Sequence, residues 1–197
     1  MELLILNRST SVLASARVMG SNVWTDENEW PIGRNGGPDD YRSVETRKDL
    51  LVFTSSPFRT AVKICRPIVV KLFAATSARD TNWTAMILDV HPDGYAQRLN
   101  DGIVRARFRY GDDVEVFAPP GKVEEYDIDA WSTCVEQQPG HRLRLQIASS
   151  AAGKFGLNLN TGGLLGQESE GVVAEQTIHH ESGRAPYLLV PIVPPKL

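Results

Sequence analysis

His141-Arg142-Leu143-Arg144-Leu145-Gln146-Ile147-Ala148-Ser149 decides the class of this fold. Leu143, Leu145 and Ile147 fall on one side of the run, and Arg142, Arg144 and Gln146 on the other. A side-chain period of two with one apolar face is the signature of a half-buried antiparallel strand. Ile103 to Tyr110 repeats it: Val104, Ala106, Phe108 and Tyr110 stand opposite Ile103, Arg105, Arg107 and Arg109. Two further runs, Ile68 to Ala75 and Ala85 to Val90, are apolar on both sides and read as central strands packed from both faces. Leu50 to Thr54, Val123 to Ile128, Val173 to His179 and Tyr187 to Val193 are shorter strand candidates.

Turn chemistry separates these runs. Asn35-Gly36-Gly37, Pro92-Asp93-Gly94, Asn100-Asp101-Gly102, Pro119-Pro120-Gly121 and Pro139-Gly140 supply the positive φ, fixed φ and side-chain-to-backbone bonds that reversals need. Ser9 to Met19 is the one helix candidate, a weak one, because Ser, Thr and Val are mediocre helix formers. Residues 150–171, rich in Gly and Asn, read as one long loop. Eight or more short strands with turns between them point to an all-β protein, a β-sandwich or jelly roll.

The chain has 197 residues, 42% of them hydrophobic and 23% charged, enough to bury a core as one large domain. Twenty-one basic against 24 acidic residues leave a net charge of −3, which excludes the electrostatic footprint of a nucleic-acid or anionic-membrane partner. The apolar start, Met1-Glu2-Leu3-Leu4-Ile5-Leu6, has no basic flank and is too short for a secretory core or a bilayer span. A cytoplasmic location is expected, with export left open. Cys65 and Cys134 make no disulfide framework and no CxxC pair. One bridge between them is open, but two buried, reduced thiols are the expectation.

Nucleophilic catalysis needs an exposed nucleophile, a His base and an oxyanion hole, and the strained G-x-S-x-G elbow that exposes such a serine does not occur. Gly20-Ser21 leads into Asn22-Val23-Trp24, so Ser21 reads as a turn residue. A triad built from Ser149 or Ser150 with His141 or His179 is conceivable, but without an elbow it is a poor bet. Adjacent His179 and His180 point to opposite faces of a strand and cannot share an ion unless the strand breaks there. Asp89, His91 and Asp93 share a face by spacing, yet Pro92-Asp93-Gly94 is turn chemistry, with Asp93 bonding its own backbone. No transition-metal site and no cofactor are expected. Arg105, Arg107 and Arg109 form a basic stripe that could hold an anion, but pairing across a sheet with Glu124, Glu125, Asp127 or Asp129 explains it better. Trp24, Trp30, Trp83 and Trp131 could stack on sugar rings, and core or interdomain packing is the more economical role.

A series of strings then acquires meaning from its order. Val18-Met19-Gly20-Ser21-Asn22-Val23-Trp24 is followed by Glu27-Asn28-Glu29-Trp30-Pro31, by Arg47-Lys48-Asp49-Leu50-Leu51-Val52-Phe53-Thr54-Ser55 and by Asp80-Thr81-Asn82-Trp83. Next come Leu88-Asp89-Val90-His91-Pro92-Asp93-Gly94 and Leu99-Asn100-Asp101-Gly102-Ile103-Val104-Arg105-Ala106-Arg107. Gly140-His141-Arg142-Leu143-Arg144-Leu145, Asn158-Leu159-Asn160-Thr161-Gly162 and Gln176-Thr177-Ile178-His179-His180 complete the series. Together they resemble the C-terminal non-catalytic domain of the X-Pro dipeptidyl-peptidase and cocaine-esterase-like (CocE/NonD) serine hydrolases, a group that includes the α-amino acid ester hydrolases.

The resemblance implies a galactose-binding-domain-like jelly roll over residues 17–197, with residues 1–16 unassigned. It places the family's α/β-hydrolase domain, and with it the Ser, Asp and His of the triad, N-terminal to the matching region, so no catalytic residue carries over to this chain. A long connection that the family has between its Trp-Pro segment and the next strand is shortened here after Arg34. The function implied is that of an accessory domain that packs on a hydrolase domain and helps wall its substrate cleft. The parent chemistry implied is hydrolysis of esters, or of amides after an X-Pro unit, through an acyl-serine. The partner is then an α/β-hydrolase domain, or a second copy meeting the same exposed apolar face, and Trp24, Trp30 and Trp131 are the candidates for that face. A stand-alone module binding a small ligand or carbohydrate is the alternative.

Overall fold

Alternation of apolar and polar residues becomes two packed antiparallel sheets. The computed structural model describes residues 2–5, 14–18, 40–47, 49–151, 154–164, 166–180 and 186–193, the first two segments by their backbone alone. Among these described residues eleven strands run β1 (Glu2–Ile5), β2 (Ala14–Val18), β3 (Leu51–Thr54), β4 (Val62–Thr76), β5 (Asn82–Val90), β6 (Ala96–Arg105), β7 (Glu124–Gln137), β8 (Arg142–Ala148), β9 (Ala174–Ile178), β10 (Tyr187–Val190) and β11 (Ile192–Val193). Helical turns among the described residues are confined to two 3-10 segments, Tyr41–Thr46 and Ala106–Phe108. Neither is long and apolar enough to cross a membrane. The expected all-β sandwich is the observed class.

One sheet is built on β4. It pairs with β7 along nearly its whole length, while β9, β10 and β11 line up in succession along its other edge. β1 extends this sheet beyond β10, and β2 extends it beyond β9. The second sheet has the order β3-β8-β5-β6. Between the sheets, Ile64, Ile68, Val70, Leu72, Tyr126 and Ile128 meet Phe53, Trp83, Ile87, Leu143, Leu145 and Ile147. Burying such side chains contributes roughly 1.5–3 kcal/mol each, the main driving force for closing the sandwich. A smaller cluster, including Tyr41, Val44, Leu50, Met86 and Leu88, packs the 3-10 turn 41–46 over the outer face of β5, so every residue of β5 is buried.

Four readings are corrected. Ala14–Val18, inside the candidate helix 9–19, is strand β2, because a five-residue ladder to β9 outweighs weak helix propensity. The strand expected over 103–110 stops at Arg105. There the Arg107 backbone N–H turns in to the carboxylate of buried Asp80, and Ala106 N–H bonds Thr81 C=O, curling the chain into a 3-10 turn. β4 is packed tightly on one face rather than two, since Val69, Lys71 and Phe73 on its outer face stay partly exposed. Cys65 and Cys134 are not free thiols: they face each other across the β4–β7 ladder and form a disulfide. Register, which composition cannot reveal, brought them together.

Candidate functional site

At one end of the second sheet the β5–β6 hairpin meets the start of β8. Asp93 accepts the Tyr95 N–H at 3.0 Å, and Gly94 N–H bonds His91 C=O, so Pro92-Asp93-Gly94 is the turn that its residue types require. Asp93 therefore faces away from ligand chemistry, as the sequence reading had it. What that reading missed is that His141, considered only as a catalytic base, joins Asp89 and His91. Val90 pairs with Arg142 in the β5–β8 ladder, which carries His141 alongside the hairpin. His141 Nδ1 lies 2.9 and 3.1 Å from the two carboxylate oxygens of Asp89. His91 Nε2 is 3.8 Å from Asp89 Oδ2, and the two imidazole centroids are 4.3 Å apart. Tyr95 packs edge-on against His91.

A second cluster ties together the loops at the β5 start. Asp80 is completely buried and accepts from Arg105 Nε at 2.6 Å, Arg107 Nε at 2.8 Å and Asn158 Nδ2 at 3.1 Å. Arg107 also donates to Gly163 C=O, and Arg109 lies 3.7 Å from Glu124. The arginine stripe is thus consumed by ion pairing; Glu124 is among the partners proposed from sequence, whereas Glu125 and Asp127 bind Lys71 instead. Those two carboxylates hold the Lys71 ammonium above its ordinary pKa. Around this anchor, Phe117 sits beneath the guanidinium groups of Arg79 and Arg107, with Leu164 64% exposed on the neighbouring loop.

The third feature is Trp131, 71% exposed. Ser132 pairs with Pro67 and Asp129 with Val69, so Ala130 and Trp131 together oppose Ile68. That is a β-bulge, and it reverses the parity of β7: Tyr126, Ile128 and Ala130 point inward before it, Val135 and Gln137 after it. Trp131 itself adopts φ 62°, a conformation that bulky residues rarely take, and its N–H bonds Asp129 Oδ1 at 2.8 Å. Trp83, by contrast, is core. Trp24 and Trp30, with Ser21, the Asn35-Gly36-Gly37 turn and the shortened connection after Arg34, lie outside the described residues.

The triad nucleus through His141 does not assemble. His141 precedes β8 and Ser149 follows it, so they stand at opposite ends of a seven-residue strand, roughly 25 Å apart. Ser149 and Ser150 are both buried. His179 and His180 follow the end of β9, and His180 stacks on Phe53 with ring centroids 5.6 Å apart.

Residues 17–189 match the X-Pro dipeptidyl-peptidase C-terminal non-catalytic domain. The chain belongs to this family. It is similar to the cocaine esterase of Rhodococcus sp. (strain MB1 Bresler), 34% identical over 161 residues, a match covering 81% of this chain and 28% of that esterase. Among solved structures, an aminopeptidase from a marine sediment Thaumarchaeota archaeon superposes with a TM-score of 0.84 at 22% identity, over 98% of this chain and 36% of its own. An α-amino acid ester hydrolase superposes with a TM-score of 0.83 at 19% identity, over 97% of this chain and 36% of its own. The two superpositions support the fold alone. The chain spans between a quarter and two fifths of these relatives, a share that corresponds to a non-catalytic domain of a hydrolase.

Proposed function

We propose that this chain is the accessory domain of an X-Pro dipeptidyl-peptidase or acyl-esterase type of serine hydrolase. In this reading residues 17–197 form a galactose-binding-like jelly roll that packs on an α/β-hydrolase domain and shapes its substrate cleft. The observation that carries it is the family match of 17–189 to a non-catalytic domain. Trp131 supports it physically: a strand bulge holds a large aromatic outward at 71% exposure, where an unpartnered domain gains nothing from it. Backbone strain of this kind persists only where the surroundings hold it, and it clusters at functional positions. The apolar loops around Phe117 and Leu164 offer a second exposed area.

Purified alone, the chain should turn over neither an activated phenyl ester nor an X-Pro chromogenic amide. It should bind an apolar dye or self-associate in light scattering, and Trp131→Lys should reduce either effect. A monodisperse monomer without dye binding at high concentration would argue against an uncovered docking face. Turnover that survives repurification and is blocked by a serine-directed fluorophosphonate would overturn the non-catalytic role.

A further inference from the structure

We propose that Asp89, His91 and His141 form a binding site for a single divalent transition-metal ion, Zn2+ being the best fit. One ligand atom from each residue lies within 4.8 Å of the others. Asp89 Oδ2 is 3.1 Å from His141 Nδ1 and 3.8 Å from His91 Nε2. Tetrahedral zinc with bonds of about 2.0–2.2 Å has ligand-to-ligand edges of about 3.3–3.6 Å, between those two separations. The third edge, between the two imidazole nitrogens, is at most 4.8 Å, so closing on an ion draws the His91 ring inward.

The surroundings suit a ligand set. His91 Nε2 is shut off from solvent and has no hydrogen-bond partner, an arrangement that a buried imidazole nitrogen rarely keeps unless something else satisfies it. The Asp89 side chain is only 8% exposed, His141 14% and His91 32%, so the ion would be largely shielded yet reachable past His91. Both supports are stiff. His91 N–H bonds Tyr95 C=O across the hairpin, and the His141 C=O and N–H bond Phe58 N–H and Gln138 C=O. Two imidazoles and one carboxylate are the donor types zinc prefers, leaving a fourth position for water. The ion would replace the His141–Asp89 hydrogen bond and clip the β5–β6 hairpin to the start of β8.

The test uses the full chain after dialysis against chelator. Zinc affinity is measured by competition with a chromogenic chelator, stoichiometry by elemental analysis, and geometry by the visible spectrum of the Co2+ form. One Zn2+ per chain is expected at micromolar or tighter affinity, with a rise in Tm and tetrahedral Co2+ bands. His91→Ala, whose Nε2 has no partner to lose, should fold normally and weaken binding at least 100-fold. Asp89→Asn and His141→Gln should do the same, while the double variant His179→Gln/His180→Gln should bind as the parent does. Absence of zinc at micromolar free metal, unchanged affinity in His91→Ala, or binding lost only in the His179/His180 variant would each overturn the site.

Discussion

Replacing Asp80 by Asn should cost this domain about 4 kcal/mol. The carboxylate is wholly buried and accepts from two guanidinium groups, with Arg107 itself buried and Arg105 nearly so. Each charge-assisted bond is worth about 1.5–3 kcal/mol, and removing one partner of a buried pair typically costs about 3–5 kcal/mol because the stranded charge stays behind. Asn keeps the volume but presents a neutral amide to two cations. For a chain of this length, about 2–4 °C of Tm per kcal/mol makes the expected drop about 8–16 °C. Urea and thermal unfolding followed by circular dichroism measure it. Adding Arg107→Met should return part of the loss, since it removes the more deeply buried of the two stranded cations. A loss below about 1 kcal/mol, or no recovery in the double variant, would refute the view that this pair anchors the loops.

Thiol titration in denaturant should find no free thiol before reduction and two after it; breaking the Cys65–Cys134 bridge should lower stability by about 2–4 kcal/mol in unfolding curves, given its separation of 69 residues. Gly102→Ala should destabilise by about 1–3 kcal/mol or more, because a Cβ there would lie 2.1 Å from the backbone oxygen of Asp129, and chemical denaturation reads the loss. Burial raises the pKa of the Tyr126 hydroxyl, against smaller opposing effects of Trp83 and Arg109. The unfolded chain therefore gives up that proton first, so Tyr126 contributes stability that is complete below about pH 10 and is lost as pH rises above it. Tyr126→Phe should flatten that alkaline decline in unfolding curves taken across the range.

The strands were legible in sequence because burial imposes a period of two, as the arginines and leucines of β8 show. Strand pairing was not, since periodicity says which face a residue takes but not what it faces across the ladder. That is why Cys65 was not matched to Cys134, and why His141 was not placed beside Asp89 and His91. The end of β6 escaped for a different reason. Arg105 to Arg109 keeps perfect alternation, and only the buried Asp80, 25 residues away from Arg105, turns it into a 3-10 segment. Trp131 was named as a docking-face candidate through the family resemblance, but its outward position depends on a bulge opposite Ile68 that no local pattern announces. The family strings from Arg47 onward mark out strands and loops of the sandwich, including the Asp80 segment and the Asn158 loop that bonds it.

The most direct measurement is sedimentation velocity of the full chain mixed with an α/β-hydrolase domain of this family prepared without its own C-terminal domain. A one-to-one complex is expected, weakened at least tenfold by Trp131→Lys. Esterase turnover should appear only in samples containing the hydrolase domain. Two species sedimenting independently, with this chain a dye-silent monomer, would contradict an accessory domain built to dock.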